Sequence, residues 1–232
     1  MRREAETLKK TAAVICPPFV YLQVIGRLLA GWRGIYLGAQ DVSHCLAGAC
    51  TGEVDAAMLA DIGVRFVIVG HSERRAAGES DALVSEKISR AVGAGLSAIL
   101  CVGESVRDSR GDFLNFLAEE LRRSLASLPR RAVGKVIVAY EPVWAIGKNE
   151  GNAIKPADLR ETAIFIRKIL ADLYGQAAAM SLPILYGGSV TERNVAGFLS
   201  EGGVQGLLVG RASLDPKGFS ETLRIADSLP LK

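Results

Sequence analysis

Two side chains capable of acid–base chemistry stand directly after buried apolar runs. Gly70 and His71 follow the run 65–69, and Glu141 follows the run 136–140. A carboxylate can remove a proton, and a neutral imidazole can donate one to a carbonyl oxygen. His71 also stands where a helix is predicted to begin, and the positive helix end disfavours imidazolium. A core histidine and an ion-paired rim glutamate are the plainer alternatives, but together the two residues predict proton abstraction beside a carbonyl group.

Two glycine-containing turns follow the last two apolar runs, and they predict an anion site. Glycines let backbone N–H groups approach an anion, and the positive end of a short helix adds to the attraction. In eight-stranded α/β barrels a phosphate site commonly lies in the last two of these turns. One such turn is more often only a tight turn, whereas the pair indicates a phosphorylated small substrate. The turns read Tyr186-Gly187-Gly188-Ser189 and Val209-Gly210-Arg211-Ala212-Ser213.

The segment after Glu141 predicts a lid. It runs from Pro142 to Gly147 and is apolar, with Trp144 at its centre. Surface loops rarely carry such a run, and an apolar flap that closes over a carboxylate excludes water and raises its basicity. An ordinary loop at the rim of a sheet is the alternative.

The elements that position these residues alternate between strands and helices. Continuous apolar runs are typical of parallel strands that are covered on both faces. Because helical periods separate the runs, the pattern predicts an α/β fold with a parallel sheet, either a doubly wound open sheet or a (β/α)8 barrel. The seven runs are 12–16, 35–39, 65–69, 98–102, 136–140, 182–186 and 206–209, and the clearest helices are 81–92, 113–125 and 157–173.

Composition favours a single enzyme-like domain, residues 1–232, in the cytoplasm. The chain is 49% hydrophobic with a net charge of +3, which provides a large core and no basic patch for nucleic acid. Prolines and glycines interrupt its longest uncharged stretches, so we expect neither a membrane span nor a signal peptide. The expected partner is therefore a small molecule.

The cysteines and histidines predict no metal site. The chain has four cysteines and two histidines, without the spacing of a zinc site. Cys16 and Cys101 lie in apolar runs, and we interpret them, with Cys45 and Cys50, as reduced thiols of a cytosolic protein. No dinucleotide fingerprint or P-loop is present. The sequence therefore predicts an isomerisation that needs no cofactor.

These motifs, in this order, resemble the triosephosphate isomerase family. The resemblance extends from the family's second strand to its C-terminal end. It implies a TIM barrel that lacks the family's first β-strand, and a homodimer that acts on a phosphorylated triose in glycolysis and gluconeogenesis. The matching segments are GAQD (38–41), GACTGE (48–53), VGHSERR (69–75), CVGE (101–104), AYEPVWAIG (139–147) and YGGSV (186–190).

The resemblance also implies roles for individual residues. Glu141 would move a proton between C1 and C2 through an enediolate, while His71 polarises and reprotonates the oxygens. Thr51, on the family's dimer loop, would enter the site of the neighbouring subunit. The implied substrate-binding residues are Gly147, Ser189, Gly210 and Arg211, and the implied supporting residues are Glu73, Cys101 and Glu104.

Three departures from the family pattern define the alternatives. The family's first strand, of the type NWKMN, supplies an asparagine and a lysine, and nothing similar precedes Ala12. A late start assignment, a truncation and degeneration all fit this departure. The lid reads GKNEGNA where the family usually has GTGKxAT, and Arg211 replaces a glycine. The alternative functions are an isomerase of a tetrulose phosphate and a catalytically weak barrel retained as a binding or structural subunit.

Overall fold

Parallel strands and helices alternate along the chain, as the apolar runs predict. The computed structural model describes residues 8–45, 49–145 and 154–230. The strands are β1 (Ala13–Ile15), β2 (Ile35–Ala39), β3 (Phe66–Val69), β4 (Ser97–Val102), β5 (Val136–Tyr140), β6 (Ile184–Tyr186) and β7 (Gly206–Leu207). The helices are α1 (Leu22–Leu29), α2 (Ala56–Asp61), α3 (Ser72–Ala76), α4 (Asp81–Gly93), α5 (Asp112–Ser124), α6 (Pro156–Tyr174), α7 (Gln176–Ser181), α8 (Val195–Glu201) and α9 (Pro216–Ser228).

The strand order distinguishes between the two predicted architectures. The seven strands pair in chain order, each parallel to the next. A doubly wound sheet reverses its order at a switch point, and the described strands contain no reversal. One face of the sheet encloses an inner cluster of Ile68, Ile99, Cys101 and Ala139, while the other face packs against the helices. The fold is therefore of the α/β-barrel type.

Local sequence signals set the starts of the long helices. At the start of α4, the Ser80 hydroxyl accepts the N–H of Leu83. Pro156 occupies the first turn of α6, where no N–H is needed. With α5, these helices confirm the three predicted from the hydrophobic period, each to within one residue at either end. Among the described helices, none combines the length and the apolar composition that a membrane crossing requires.

Between β1 and β7 the described residues form no strand pairing. β1 pairs with β2, and β7 pairs with β6. Helix α9 lies on the β1 side of this seam, because its Leu223 packs with Ala13 of β1. The carboxylate of Asp227, also on α9, accepts the backbone N–H groups of Lys10 and Thr11, both at 2.8 Å. The predicted α/β-barrel type is confirmed, and among the described residues its seven strands do not close; the absence of the family's first strand stays a prediction.

The prediction of four reduced cysteines is wrong. Cys45 and Cys50 are joined by a disulfide bond in the connection between β2 and α2. The N–H of Ser43, before this disulfide, donates to the carbonyl oxygen of Val54, after it, at 2.9 Å. Spacing along the sequence does not reveal that the fold brings these two cysteines together. Cys16 and Cys101 are free, and burial raises the pKa of both thiols, that of Cys16 to about 12.

Candidate active site

The two residues predicted as acid–base groups face each other across neighbouring strand ends. His71 follows β3 and Glu141 follows β5, with β4 between them. Nε2 of His71 lies 3.3 Å from Oε1 of Glu141. The glutamate side chain is buried, whereas the histidine side chain is 30% exposed. The pair therefore lies at the carboxyl ends of the strands, where a small molecule can reach it.

The hydrogen bonds of His71 define its tautomer. His71 is the N-cap of α3, as predicted from its position, and its Nδ1 accepts the N–H of Glu73 at 3.3 Å. A nitrogen that accepts carries no proton, so a neutral ring holds its proton on Nε2. That nitrogen is the one that faces Glu141. The Nε2–H group is thus in position to donate to an oxygen of a bound molecule.

The surroundings of Glu141 suit a base. Burial raises the pKa of its carboxyl, while His71, the backbone N–H of Ser72 and the thiol of Cys101 oppose that rise. The nearby charge of Glu73 adds to the rise. The Ser72 N–H donates to Oε2 of Glu141 at 3.3 Å. A carboxylate with a raised pKa takes a proton more readily at neutral pH than a solvated carboxylate does.

Two glycines allow neighbouring backbone to pack closely against Glu141. A Cβ at Gly187 would lie 2.7 Å from Cγ of Glu141, and a Cβ at Gly103 would lie 1.9 Å from its carbonyl oxygen. A side chain at either position would displace the end of β5 or the carboxylate itself. Gly187 belongs to a turn that the sequence predicts to bind an anion. In the structure it also leaves room for the side chain of Glu141.

Ser189 belongs to the first predicted phosphate turn and links that turn to the segment that follows Glu141. It follows β6, and its hydroxyl donates to the carbonyl oxygen of Ala145 at 2.9 Å. Ala145 ends the 3-10 turn Val143–Ala145, at the start of the predicted lid. Gly147, a further predicted phosphate contact, lies outside the described residues.

Gly210 and Arg211 open a short helical turn after β7. The 3-10 helix Arg211–Leu214 begins there with Gly210 as its N-cap. The first N–H groups of a helix have no partner inside it, so they are available to an anion. A Cβ at Gly210 would meet nothing within 4 Å, which shows open space beside this backbone. The Arg211 side chain is exposed, and no contact joins these two residues to His71 or Glu141 in the described ranges.

Glu104 ties the start of the predicted lid to the strand that carries Glu141. Its buried Oε1 accepts the hydroxyl of Tyr140 at 2.9 Å and the indole N–H of Trp144 at 2.8 Å. Tyr140 directly precedes Glu141, and Trp144 lies in the turn that leads to residues 146–153, outside the described residues. Glu104, predicted as a supporting residue, therefore fixes Tyr140 and Trp144 on either side of Glu141.

The last two predicted residues lie on the surface. Glu73 is exposed, and in the described ranges its side chain forms no ion pair, whereas Arg74 and Arg75 beside it do. Its backbone N–H, not its carboxylate, holds His71. Thr51 is exposed and directly follows the disulfide-bonded Cys50.

Sequence reasoning missed the backbone partners of the site. A serine at position 72 gives no sign that its backbone N–H donates to Glu141. The predicted helix start after His71 does indicate that N–H groups without a helical partner lie there. No group of three metal-binding side chains exists among the described residues. The expectation of no metal and no cofactor stays a prediction.

This fold and this geometry have counterparts among known proteins. The family model described as triosephosphate isomerase matches residues 1–226. Triosephosphate isomerase of Thermus thermophilus is 46% identical over 229 residues, which cover 97% of this chain and 90% of the relative. That of Mycobacteroides abscessus is 43% identical over 226 residues, which cover 96% of this chain and 85% of the relative. The crystal structure of triosephosphate isomerase from Bartonella henselae matches with a TM-score of 0.83 and 34% identity, over 96% of this chain and 90% of that one. The chain therefore belongs to the triosephosphate isomerase family and is an aldose–ketose isomerase.

Proposed function

We propose that the chain interconverts dihydroxyacetone phosphate and D-glyceraldehyde 3-phosphate, with Glu141 and His71 as its catalytic residues. The observation that carries this proposal is the buried carboxylate of Glu141 beside Nε2 of His71, 3.3 Å apart. The names of the relatives support the same reaction. A carboxylate and an imidazole supply both a base and an acid, so we expect the reaction to need no metal or cofactor.

Glu141 is the base. Its carboxylate removes a proton from C1 of dihydroxyacetone phosphate, and the electron pair of that C–H bond forms the C1=C2 double bond of an enediolate. Return of the proton to C2 gives glyceraldehyde 3-phosphate and restores the carboxylate. Burial favours removal of the proton, because it keeps water away from the carboxylate and raises its pKa.

His71 stabilises the charge that develops on oxygen. Its Nε2–H donates to O2 as C1 loses its proton, and the same nitrogen carries a proton between O2 and O1 before C2 is protonated. The N–H of Glu73 on Nδ1 keeps the ring in the tautomer that this task requires. The backbone therefore sets which ring nitrogen carries the proton.

The phosphate of the substrate binds at the turns after β6 and β7. Ser189 and the backbone of Gly210 and Arg211 are the proposed contacts, together with Gly147. Support comes from the open space beside Gly210 and from the unshared N–H groups at the start of a helical turn. β6 is next to β5 and β7 is next to β6, so a three-carbon substrate can extend from these turns towards Glu141.

We also propose a homodimer in which Thr51 of each subunit enters the site of the other. The loop that carries Thr51 is held by the hydrogen bond from the N–H of Ser43 to the carbonyl oxygen of Val54 and by the Cys45–Cys50 disulfide. A braced loop loses little conformational entropy when it docks. Light scattering of the native protein tests this, and a monomer at micromolar concentration would contradict it.

A cytoplasmic location is part of the same proposal, because phosphorylated sugars of glycolysis and gluconeogenesis are made and used in the cytoplasm. The Cys45–Cys50 disulfide is the observation against it, since the cytosol keeps most thiols reduced. The expectation of a single domain over residues 1–232 rests on composition and stays a prediction.

A coupled isomerase assay with two substrates tests the reaction and its substrate. We expect kcat/KM for glyceraldehyde 3-phosphate to exceed that for a tetrulose phosphate by about 10-fold or more, the discrimination that one extra carbon commonly allows. A preference for the tetrulose phosphate would reassign the substrate. Folded protein that isomerises neither sugar would overturn the proposal in favour of a binding or structural barrel.

A further inference from the structure

Arg75 lies beneath the proposed active site and contacts the ends of two strands. Its Nε donates to the carbonyl oxygen of Gly70 at 2.7 Å, and its Nη2 donates to that of Cys101 at 3.3 Å. Gly70 directly precedes His71, and the thiol of Cys101 is hydrogen-bonded to Glu141. The guanidinium of Arg75 therefore contacts Gly70, which precedes His71, and Cys101, which contacts Glu141.

Glu120, on α5, links the same guanidinium to the backbone of Glu141. Its Oε1 lies 3.3 Å from Nε of Arg75, and its Oε2 accepts the N–H of Gly103 at 2.8 Å. Gly103 packs so closely on Glu141 that a Cβ would come within 1.9 Å of the Glu141 carbonyl oxygen. Glu120 is buried and Arg75 is partly buried, with 4% and 17% of their side chains exposed.

Further contacts fix the orientation of this pair. Nη1 of Arg75 donates to the carboxylate of Asp81 at 2.6 Å, and Nη2 donates to the hydroxyl of Ser124 at 3.2 Å. All three guanidinium nitrogens thus have partners on strand ends or on helices α4 and α5. A planar guanidinium with a partner on every nitrogen fixes the strand ends and helices relative to one another. A flexible ammonium does not do this.

We propose that Arg75 and Glu120 are positioning residues that set the distance between His71 and Glu141, and with it the rate of proton transfer. The inference rests on the proposed function. A displacement of about 1 Å can cost roughly 100-fold in rate. The turns proposed to bind the phosphate follow β6 and β7, which this network does not reach through the described contacts. We therefore expect the pair to affect kcat and to leave KM nearly unchanged.

Arg75→Lys and Glu120→Gln test this proposal, because each keeps a polar side chain of similar size. Lysine retains the charge without the planar set of donors, and glutamine removes the charge that faces the guanidinium. We expect kcat for glyceraldehyde 3-phosphate to fall about 10-fold or more in both variants, with KM within about twofold of the native value. The matched control is Glu119→Gln, next to Glu120 on α5, whose ion pairs with Arg122 and Arg123 are exposed. We expect no change in its kcat.

Inhibitor binding separates a positioning task from a contribution to stability. A phosphorylated hydroxamate that mimics the enediolate depends on both reacting side chains, whereas inorganic phosphate depends on the turns alone. We expect the inhibition constant of the hydroxamate to rise about 10-fold in both variants while that of phosphate is unchanged. Equal changes for both inhibitors, a kcat equal to that of the control, or a kcat loss that merely follows the unfolded fraction measured by circular dichroism would overturn the inference. Native protein without isomerase activity would overturn the proposed function instead, and hydroxamate binding would still test the positioning.

Discussion

The barrel has a tightly paired half and an open half, and the proposed chemistry is divided between them. The tight half consists of β3, β4 and β5: β3 pairs with β4 over four successive positions, β4 pairs with β5 over five, and the side chains of β5 are almost all buried. By contrast, β1 has three residues and β7 has two, both are partly exposed, and they do not pair with each other in the described ranges. His71 and Glu141 follow strands of the tight half, whereas the proposed phosphate turns follow β6 and β7.

This division matches the demands of the two tasks. Proton transfer requires the reacting atoms to be placed within fractions of an ångström, so it gains from buried, fully paired strand ends. Electrostatic attraction between a phosphate and a cation falls only inversely with distance, so phosphate binding tolerates a less constrained backbone than proton transfer does. The comparison predicts that substitutions in the tight half act on turnover and that substitutions at the seam act on stability.

Glu141→Asp is expected to have the largest effect. It withdraws the carboxylate by one methylene while keeping its charge, and a misplacement of about 1 Å can cost roughly 100-fold. We expect turnover to fall at least about that much, with little loss of stability, in a coupled assay and a thermal melt. Glu119→Asp, on an exposed face of α5, is the control. More than a tenth of the native activity in Glu141→Asp would show that Glu141 is not the base.

His71→Gln is expected to have the next largest effect. Glutamine keeps a hydrogen-bond donor but cannot carry a proton between two oxygens, and a positioned acid–base group contributes on the order of 100-fold or more. We expect kcat to fall by about that factor, and the only other histidine, changed in His44→Gln, to leave it unaltered. Nitrogen NMR of the native imidazole checks the tautomer. A proton on Nδ1 would contradict the role proposed for Nε2.

Much of this fold follows from the sequence because burial leaves a simple trace. Strands covered on both faces need continuous apolar runs, so all seven strands coincide with predicted runs. His71 and Glu141 can be predicted to meet because the carboxyl ends of parallel strands share one edge. Several site residues rest instead on resemblance to a family, which is a different kind of argument from the chemistry of the residues.

The remainder depends on contacts that residue types do not encode. The Cys45–Cys50 disulfide forms because the fold brings the two cysteines together, and their spacing along the sequence does not predict this. The packing of Gly187 on Glu141 arises between neighbouring strands, so it appears only when the strand register is known. Likewise, the sequence does not indicate that Arg75, rather than Arg74, contacts the strand ends, because its partners Glu120 and Ser124 depend on where α5 lies.

Gly187→Ala tests how far the tight half extends into the phosphate turns. The added methyl group would come 2.7 Å from Cγ of Glu141, too close for any real contact, so the carboxylate must move. We expect kcat to fall about 10-fold, less than for Glu141→Asp because the carboxylate keeps its length. Gly93→Ala is the control, since a Cβ there meets nothing within 4 Å. An unchanged kcat in Gly187→Ala would mean that the carboxylate adjusts without cost.

Asp227→Asn acts at the seam and is expected to affect stability alone. Burial slightly raises the pKa of Asp227, but the backbone N–H groups of Lys9, Lys10 and Thr11 outweigh it and hold that pKa below its usual value. The bonds are partly exposed, so we expect the free energy of unfolding to fall by about 1 kcal/mol or less at pH 7. A lowered carboxyl pKa stabilises the fold above the unfolded value of about 3.9, so the difference in stability between Asp227→Asn and the native protein should vanish as pH falls below the folded value.

Turnover of Asp227→Asn should stay within about twofold of native, because no catalytic group is touched. A tenfold loss would show that the two halves are coupled.

Cys101→Ala is expected to have the smallest effect, a displacement of the pH profile. Burial raises the pKa of Glu141, and the thiol of Cys101 opposes that rise by donating to the carboxylate. Loss of the thiol therefore raises this pKa further. Because the base works only when it is deprotonated, activity is lost as pH falls through its pKa, and the acid limb of kcat/KM should move to higher pH. Cys101→Ser keeps a donor in the same place and should leave the acid limb almost unmoved. Cys16→Ala, directly after β1, should also leave it almost unmoved.

Water entering the space left by the Cys101 thiol would instead solvate the Glu141 carboxylate and lower its pKa. An acid limb that moves to lower pH in Cys101→Ala would therefore show that the tight half is not dry.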